Sequence, residues 1–440
     1  MLAESAQEVS AAVLYATAAG QTVATRSGGH DYIGCSLSGD VTIDVSNINH
    51  VTAPDGQGRT RIGAGAKLGD VYTQLDTHAV TIPAGSCFTV GIAGLTLGGG
   101  HGVLARSEGL TIDKLVSMEV VTADGVIRTA SSTQNADLFW ALRGGGNGDL
   151  GVVTEFEFQT VPTYSWHFYK IEQDFDVDVL YGWQAWAFNE EDHSWHAAHL
   201  LMKNGALKMA MLGLYRADEK TYSWVQNRVQ TQFGASPTMA TWTWTEVYDN
   251  LNWAPDNEPH KWTADSAMPQ SDLSKATLQQ IATAVQQIET THPGATLNAN
   301  FDAYGGVIDD ILPSSTAFPH RNSKFSIQFL TKFSFSDQDG NAVTQWLQQL
   351  LIDTGLNTHG AYRNYASPSA DQLVRFYGSN LAQLQLAKQQ YDSNGVFSTC
   401  THALATAHPT ATSSSSPSSE PSHGVRRLGE ERLATTKRLR

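Results

Sequence analysis

Four groups of residues in this chain carry chemistry by their type and spacing. Arg26-Ser27-Gly28-Gly29-His30 sets a strand end, a two-glycine turn and an imidazole in immediate succession, and backbone without side chains can approach a ligand closely there. Cys87 stands just before Thr89-Val90-Gly91-Ile92-Ala93-Gly94-Leu95-Thr96-Leu97-Gly98-Gly99-Gly100-His101-Gly102, where six glycines interleave with small and apolar residues. Exposed backbone N–H groups in such a loop can cradle a pyrophosphate. A second glycine cluster, Gly144-Gly145-Gly146 with Gly151-Val152-Val153-Thr154, follows Ala136 to Arg143. The fourth group, Tyr362-Arg363-Asn364-Tyr365, holds two phenols. With an unperturbed pKa near 10, a phenol needs a cation or another stabiliser to act as a base.

Each group has a plainer reading when taken alone: a surface turn, a buried cysteine, a connecting loop, two packed aromatics. Three glycine clusters within the first third of the chain outweigh those readings. The direct rival is a nicotinamide-binding Rossmann turn, because Glu119 lies about twenty residues on, where a ribose-binding acid belongs. That turn needs a helix directly after its glycines, whereas Val103 to Leu115 is short, broken by Gly109 and without helical spacing. A phosphate-binding loop outside the Rossmann class fits better.

Elements must position these groups. Ser5-Ala6-Gln7-Glu8 reads as a capping box, and Val9, Val13 and Ala16 continue at helical spacing until Gly20. Strands are expected at Gln21 to Arg26 and Val41 to Val45, a helix at Leu68 to Leu75, and a strand pair at Val116 to Thr122 and Val126 to Thr129 across Asp124-Gly125. From about Thr163 aromatics become dense. Leu200 to Lys203, Asn204-Gly205 and Leu207 to Tyr215 make a hairpin, and helices carry Leu278, Ile281, Val285 and Ile288, then Val343, Trp346, Leu347 and Leu350. Strands with helices on one side predict an antiparallel α+β domain. After His408 the chain turns to Ser, Pro and Thr and a basic end, a composition expected to be disordered.

Composition narrows the classes. A length of 440 residues favours two domains. A formal net charge of −15 does not provide the basic face that nucleic acid needs. No run approaches a transmembrane helix, no signal peptide is readable at Met1 to Glu4, and there is no Asn-x-Ser/Thr sequon. Localisation stays open. Cys35, Cys87 and Cys400 lack paired metal spacing, so no metal is expected.

The ordered set of His30, Cys87, the Gly91–Gly102 loop and the Asp137–Thr154 block resembles the berberine-bridge-enzyme-like family of FAD-linked oxidases, with a PCMH-type FAD-binding domain of the vanillyl-alcohol-oxidase-like superfamily. The likeness continues through Tyr304-Gly305-Gly306, Ala317 to Arg321, Tyr362 to Tyr365 and Tyr391 to Phe397, covering nearly everything from Glu4 to Phe397. It implies an α+β protein: a two-subdomain FAD domain over 1–162, completed by a returning segment at 356–408, with an antiparallel-sheet substrate domain at 163–355 and a tail at 409–440. It also implies FAD linked through His30 to the flavin 8α-methyl and through Cys87 to ring carbon 6. Arg26, Ser27, Gly28, Gly29, Thr89, Val90, Gly91, Gly94, Gly98, Gly99, Gly100, Gly102, Leu104, Asp113, Gly151, Val153 and Asn364 would line the cofactor.

By the same likeness Tyr362 or Tyr365 is the base, hydride passes from an alcohol or sugar carbon to flavin N5, and dioxygen becomes hydrogen peroxide in a monomeric enzyme. Trp183, Trp186, Trp195, Trp242 and Trp244 could stack on sugar faces, although core packing suits most of them better. A secondary-metabolite tailoring oxidase and a non-catalytic flavin-binding protein are the alternatives. The chain departs from the family at Phe88, where proline is common, at Gly148-Asp149-Leu150, where Asn-Phe precedes glycine, and at Ser367, where an acid often follows Asn-Tyr. Relatives also commonly carry some tens of residues before the helix that opens here at Ser5, and these add strands and FAD contacts.

Overall fold

The computed structural model describes residues 1–146, 148–251, 261–333, 337–368, 372–397 and Leu404. Ser5 caps the first helix, Ala6–Ala18, its hydroxyl accepting the Glu8 N–H at 3.3 Å. The Glu8 carboxylate reaches past Ser5 to the Glu4 N–H at 2.9 Å, so the expected box closes one residue early. Val9, Val13 and Ala16 face inward, as their spacing requires. The strand Val23–Arg26 then pairs in parallel with Val41–Asp44.

Beyond these lies a four-stranded antiparallel sheet in the order Arg59–Gly63, Val152–Gln159, Leu115–Val121, Ile127–Ser131. The chain then builds a seven-stranded antiparallel sheet in the order Thr238–Trp242, Trp166–Asp174, Ala206–Arg216, Ser194–Lys203, Thr296–Ala303, Phe325–Phe333, Lys261–Ala267. Its central hairpin turns at Asn204 and Gly205, both at positive φ, as a two-residue type I′ loop demands.

That sheet is a partition. One face packs with Trp183, Val225, Ile281, Val285, Val343 and Leu347, carried by the helices Val177–Asn189, Tyr222–Phe233, Lys275–Thr291 and Asp337–Asp353. Phe168, Trp195, Leu212 and Leu214 on the other face join the core of the N-terminal part. The alternation on Thr296–Ala303 records this division: Leu297, Ala299, Phe301 and Ala303 are buried, while Asn298, Asn300 and Asp302 between them are half-buried. Trp183, Trp186, Trp195 and Trp244 are buried, and Trp242 stacks on Phe168 at 4.1 Å, so these tryptophans are packing residues.

The segment after Leu356 returns to the N-terminal part. The Val23 N–H donates to the Val396 carbonyl at 2.7 Å, and the buried Lys388 ammonium donates to the Asp149 carbonyl at 2.6 Å and to Asp392 at 2.7 Å. The tail expected to be disordered, 409–440, lies outside the described residues.

Two buried ion pairs tie distant segments together. Arg321 meets Asp113 in a bidentate contact at 2.7 and 2.8 Å, and Arg375 meets Asp265 at 3.0 Å. Arg321 and Asp113 are almost wholly shielded from solvent, so removing one partner strands the other charge, at a cost of about 3–5 kcal/mol. Arg321→Met is therefore expected to lower the thermal unfolding midpoint by several degrees. Asp113→Asn should fall short of that loss, because its amide still pairs with the Leu110 N–H and one guanidinium N–H.

Candidate functional site

The His30 turn is locked to the glycine loop through bare backbone. A Cβ on Gly28 would lie 2.2 Å from the Gly91 nitrogen, and one on Gly91 would lie 2.3 Å from Ser27 Oγ. No side chain fits at either position. The Ser27 hydroxyl donates to the Ala64 carbonyl at 2.7 Å, and Arg26 pairs with Asp44, its guanidinium lying over Gly29, which has φ +76°. His30 Nε2 and Thr89 Oγ1 share a hydrogen bond of 2.9 Å. The ring edge reaches solvent, but surrounding protein, and then Lys67, lower the His30 pKa, so the imidazole is neutral at pH 7.

Thr89 belongs to the same short turn as Cys87. The Val90 N–H closes on the Cys87 carbonyl at 3.2 Å, while the Leu68 and Gly69 N–H groups, at the start of the helix Leu68–Asp76, donate to the carbonyls of Val90 and Phe88, each at 3.0 Å. That helix has no side-chain cap, and the cysteine turn satisfies two of its free donors instead. Phe88 packs over Gly69 and meets Tyr248 at 5.4 Å; Tyr248 stacks on Tyr72 at 5.2 Å, and the Tyr72 hydroxyl holds the Gly85 carbonyl at 2.6 Å. An aromatic column thus grips both sides of Cys87, which is half-buried and not part of a disulfide, whereas Cys35 is disulfide-bonded.

The glycine loop differs from its expected form. Ile92–Leu97 is a short helix inside it, and another helical turn, Ala105–Glu108, follows. The sequence hid both, because a helix this short shows no period. Most of the loop's glycines admit protein atoms: a Cβ would lie 2.1 Å from Asn364 Oδ1 at Gly98, 2.2 Å from Thr111 Oγ1 at Gly100 and 1.9 Å from the Ala84 carbonyl at Gly102, and Gly99 faces Phe318 and Tyr362. Gly94 alone among these has open space where a Cβ would stand.

The Tyr362–Tyr365 turn docks on this loop. The Tyr362 hydroxyl accepts from the Gly100 N–H and from Asn364 Nδ2, each at 2.9 Å, and Nδ2 also donates to the Leu95 carbonyl at 3.0 Å. Burial pushes the Tyr362 pKa up to about 12, with these donors opposing the rise. Tyr365 is half-buried and shares a 3.0 Å hydrogen bond with His101 Nε2. Burial and then Asp302 hold its phenol well above the usual range. The turn is anchored from below: the Tyr362 N–H donates to Ser266 Oγ at 2.8 Å, and Ser367 donates to Asp265 at 2.5 Å. Ser367 thus leans on an acid from another strand at the place where relatives often carry their own.

The half-buried row on Thr296–Ala303 faces these tyrosines. Asn300 donates to Gln328 at 3.2 Å, Gln328 donates to the Tyr32 hydroxyl at 3.2 Å, and Asp302 acts electrostatically on His101, His199, Tyr304 and Tyr365. Tyr32, His101, Asn300, Asp302 and Gln328 were not singled out from the sequence. For Asn300 and Asp302 the available signal was polar residues at period two in a strand whose sheet is covered on both faces, whereas Tyr32 and His101 lie in loops with no such pattern.

Among the expected cofactor residues, Arg26 to His30, Thr89, Gly91, Gly98 to Gly100 and Asn364 come together with Tyr362 and Tyr365. Val90 takes part through its carbonyl. Leu104 and Val153 are buried in the core, Gly151 lies against the Val121 carbonyl, and the Asp113 carboxylate is engaged by Arg321. Glu119, the acid of the nicotinamide alternative, sits within the antiparallel sheet and accepts from Thr154 at 2.7 Å. The sheet that holds it is antiparallel, unlike the parallel doubly wound sheet of that alternative.

Comparison with known proteins bears on the same residues. Residues 1–131 match a family model described as FAD binding domain, and residues 361–400 match one described as berberine and berberine like. A chitooligosaccharide oxidase of Gibberella zeae is 30% identical over 419 residues, spanning 89% of this chain and 84% of that protein. The chain belongs to the berberine-bridge-enzyme-like family of FAD-linked oxidoreductases. An uncharacterised FAD-linked oxidoreductase of Bacillus subtilis is 29% identical over 84% of this chain and 83% of its own length. The crystal structure of a glucooligosaccharide oxidase of Acremonium strictum, titled as revealing a novel flavinylation, superposes with a TM-score of 0.82 at 25% identity, over 92% of this chain and 90% of that one. The fold is that of this family of flavoproteins, and FAD is the cofactor. Among the described residues no group of His, Cys, Asp and Glu is arranged to hold a metal ion, and no helix is long and apolar enough to cross a membrane.

In this berberine-bridge-enzyme-like chain the Gly28–Gly91 contact gives a direct test of the cradle. Gly91→Ala inserts a methyl group against Ser27 and the Gly28 backbone, overpacking of the kind that costs about 1–3 kcal/mol. The expected result is folded protein with a lower ratio of flavin to protein absorbance. Gly94→Ala, placed in open space, should retain the ratio if packing alone governs loading.

Proposed function

We propose that this protein is an oxidase that holds FAD through two covalent bonds, at His30 and Cys87, and takes hydride from an alcohol or sugar carbon with dioxygen as the electron acceptor. The observation that carries the reading is convergence: one hydrogen bond joins His30 to Thr89 in the cysteine turn, and the same glycine loop carries the Tyr362–Tyr365 turn. With its Nε2 proton donated to Thr89, His30 presents the Nδ1 lone pair of a neutral ring. When bound, FAD supplies the two-electron chemistry, accepting hydride and passing electrons to oxygen. Residues 1–162 and 356–408 would then form the flavin part and 163–355 the substrate part.

Geometry separates the two candidate bases. Tyr362 is nearly fully buried, and its oxygen is already held by N–H donors from the loop and from Asn364. Its role is to brace the loop under the cofactor. Tyr365 is the more exposed, and it stands opposite Asn300, Asp302 and Gln328, whose polar atoms suit a hydroxyl-rich substrate. We assign it the proton of the substrate hydroxyl. The names of the two fungal relatives, oxidases of chito- and glucooligosaccharides, support a carbohydrate.

Acid precipitation followed by peptide mass mapping tests the attachment. Flavin is expected to stay with the pellet and map to the peptides holding His30 and Cys87. His30→Ala and Cys87→Ala should each leave the other bond, and the double variant should release all its flavin. Flavin freed from the unaltered protein would overturn the covalent reading. Tyr365→Phe should slow substrate-driven flavin reduction by about 10²–10⁴-fold, well beyond the effect of Tyr362→Phe, as measured by anaerobic stopped flow.

A further inference from the structure

We infer that His101 receives the proton of Tyr365, so that the two residues act as one relay for the substrate hydroxyl; this rests on the oxidase reading above. The difficulty the relay solves is visible in Tyr365 itself. Its phenol is buried among Tyr32, Tyr304 and Tyr362 and faces the Asp302 carboxylate, all of which oppose a phenolate. A tyrosine so placed does not ionise first and act afterwards. It can take the substrate proton only by giving up its own in the same step.

The acceptor is in contact. His101 Nε2 lies 3.0 Å from the Tyr365 oxygen, and the ring packs edge-on against Tyr365 at 5.9 Å and against Tyr362 at 5.3 Å, with Tyr304 at 5.9 Å on a third side. Its main chain is fixed on either side: the Gly100 N–H is bound to Tyr362, and a Cβ on Gly102 would meet the Ala84 carbonyl. Burial keeps the imidazole neutral at pH 7, so with its proton on Nδ1 it offers a lone pair at Nε2. Of the groups that face it, Tyr304, Tyr362 and Tyr365 are neutral phenols. Asp302 is the carboxylate that acts on it, favouring the protonated ring. The relay therefore delivers a positive charge to a place where a negative charge waits.

The step balances. The substrate O–H proton moves to the Tyr365 oxygen as the Tyr365 proton moves to His101 Nε2, and the carbon's hydrogen leaves with its electron pair to the flavin. The C–O bond of the substrate becomes a carbonyl. Two hydrogens have left the substrate, one as hydride and one as the proton that replaces the one Tyr365 gave up, and His101 sheds its added proton to solvent before the next turnover.

The test is anaerobic flavin reduction in the holoenzyme, with an oligosaccharide or alcohol that bleaches the flavin as probe. In the unaltered enzyme the rate is expected to fall as pH drops below the range where His101 is neutral, and its dependence on the deuterium fraction of the solvent should be curved, because two protons are in flight. His101→Gln and His101→Phe should keep covalent flavin by mass, lose the acid limb and slow reduction by about 10²–10⁴-fold. Combining either with Tyr365→Phe should add little. A linear deuterium dependence overturns the relay without needing any variant, as does His101→Gln with an unchanged acid limb. A holoenzyme whose flavin no sugar or alcohol reduces overturns the oxidase reading, and the relay falls with it.

Discussion

Contact between two stretches of bare backbone, at Gly28 and Gly91, is the constraint around which the site is arranged. Because each would collide with a side chain on the other, the turn that ends in His30 and the loop that begins after Cys87 can approach only as main chain. The approach sets the 2.9 Å bond between His30 and Thr89, places the start of the helix Ile92–Leu97 against the turn, and puts the rest of the loop where Asn364 and Tyr362 can grip it. Glycine's usual entropic penalty is accepted here repeatedly. What it returns is a layer of backbone on which the aromatic turn packs directly.

Around that layer the chain uses buried charge as rivets. Arg106 leaves the helical turn after the glycine loop and donates to the carbonyls of Glu190, at 2.6 Å, and of Phe188 and Tyr304, with Gly305 and Gly306 lying close enough that any side chain would crowd it. The Asp113–Arg321 and Asp265–Arg375 pairs do similar work at other seams. Such pairs contribute little net stability against a well-packed apolar equivalent, but their geometry is exacting. Of the two, the Asp265–Arg375 pair ties the segment that follows Tyr365 to the edge strand Lys261–Ala267 of the large sheet.

Much of this was legible in the residues. The opening helix, the Asn204-Gly205 hairpin and the helices of the large sheet follow from period and turn chemistry, and the first two glycine clusters fall within the stretch that matches the FAD binding domain model. The purpose of individual glycines was not legible, since a glycine that admits a ligand and one that admits a neighbouring carbonyl look the same in one dimension. Gly94 faces open space, and Gly102 faces the Ala84 carbonyl. The short helix within the loop was hidden for want of a full period. Asp302 and His101 escaped notice because their importance lies in facing each other from strand and loop about two hundred positions apart, a relation that local pattern does not carry. The choice between Tyr362 and Tyr365 likewise needed burial, which two phenols three residues apart do not declare.

The bond from the Gly100 N–H to the Tyr362 oxygen spans 262 positions of chain. At roughly 5–20 residues per second, a ribosome needs about a quarter to most of a minute to cover that distance. Throughout that interval the glycine loop exists without the turn that seals it, and the nascent N-terminal part must wait with its donors turned to water. The contact between loop and turn is therefore among the later ones that synthesis of the chain makes available.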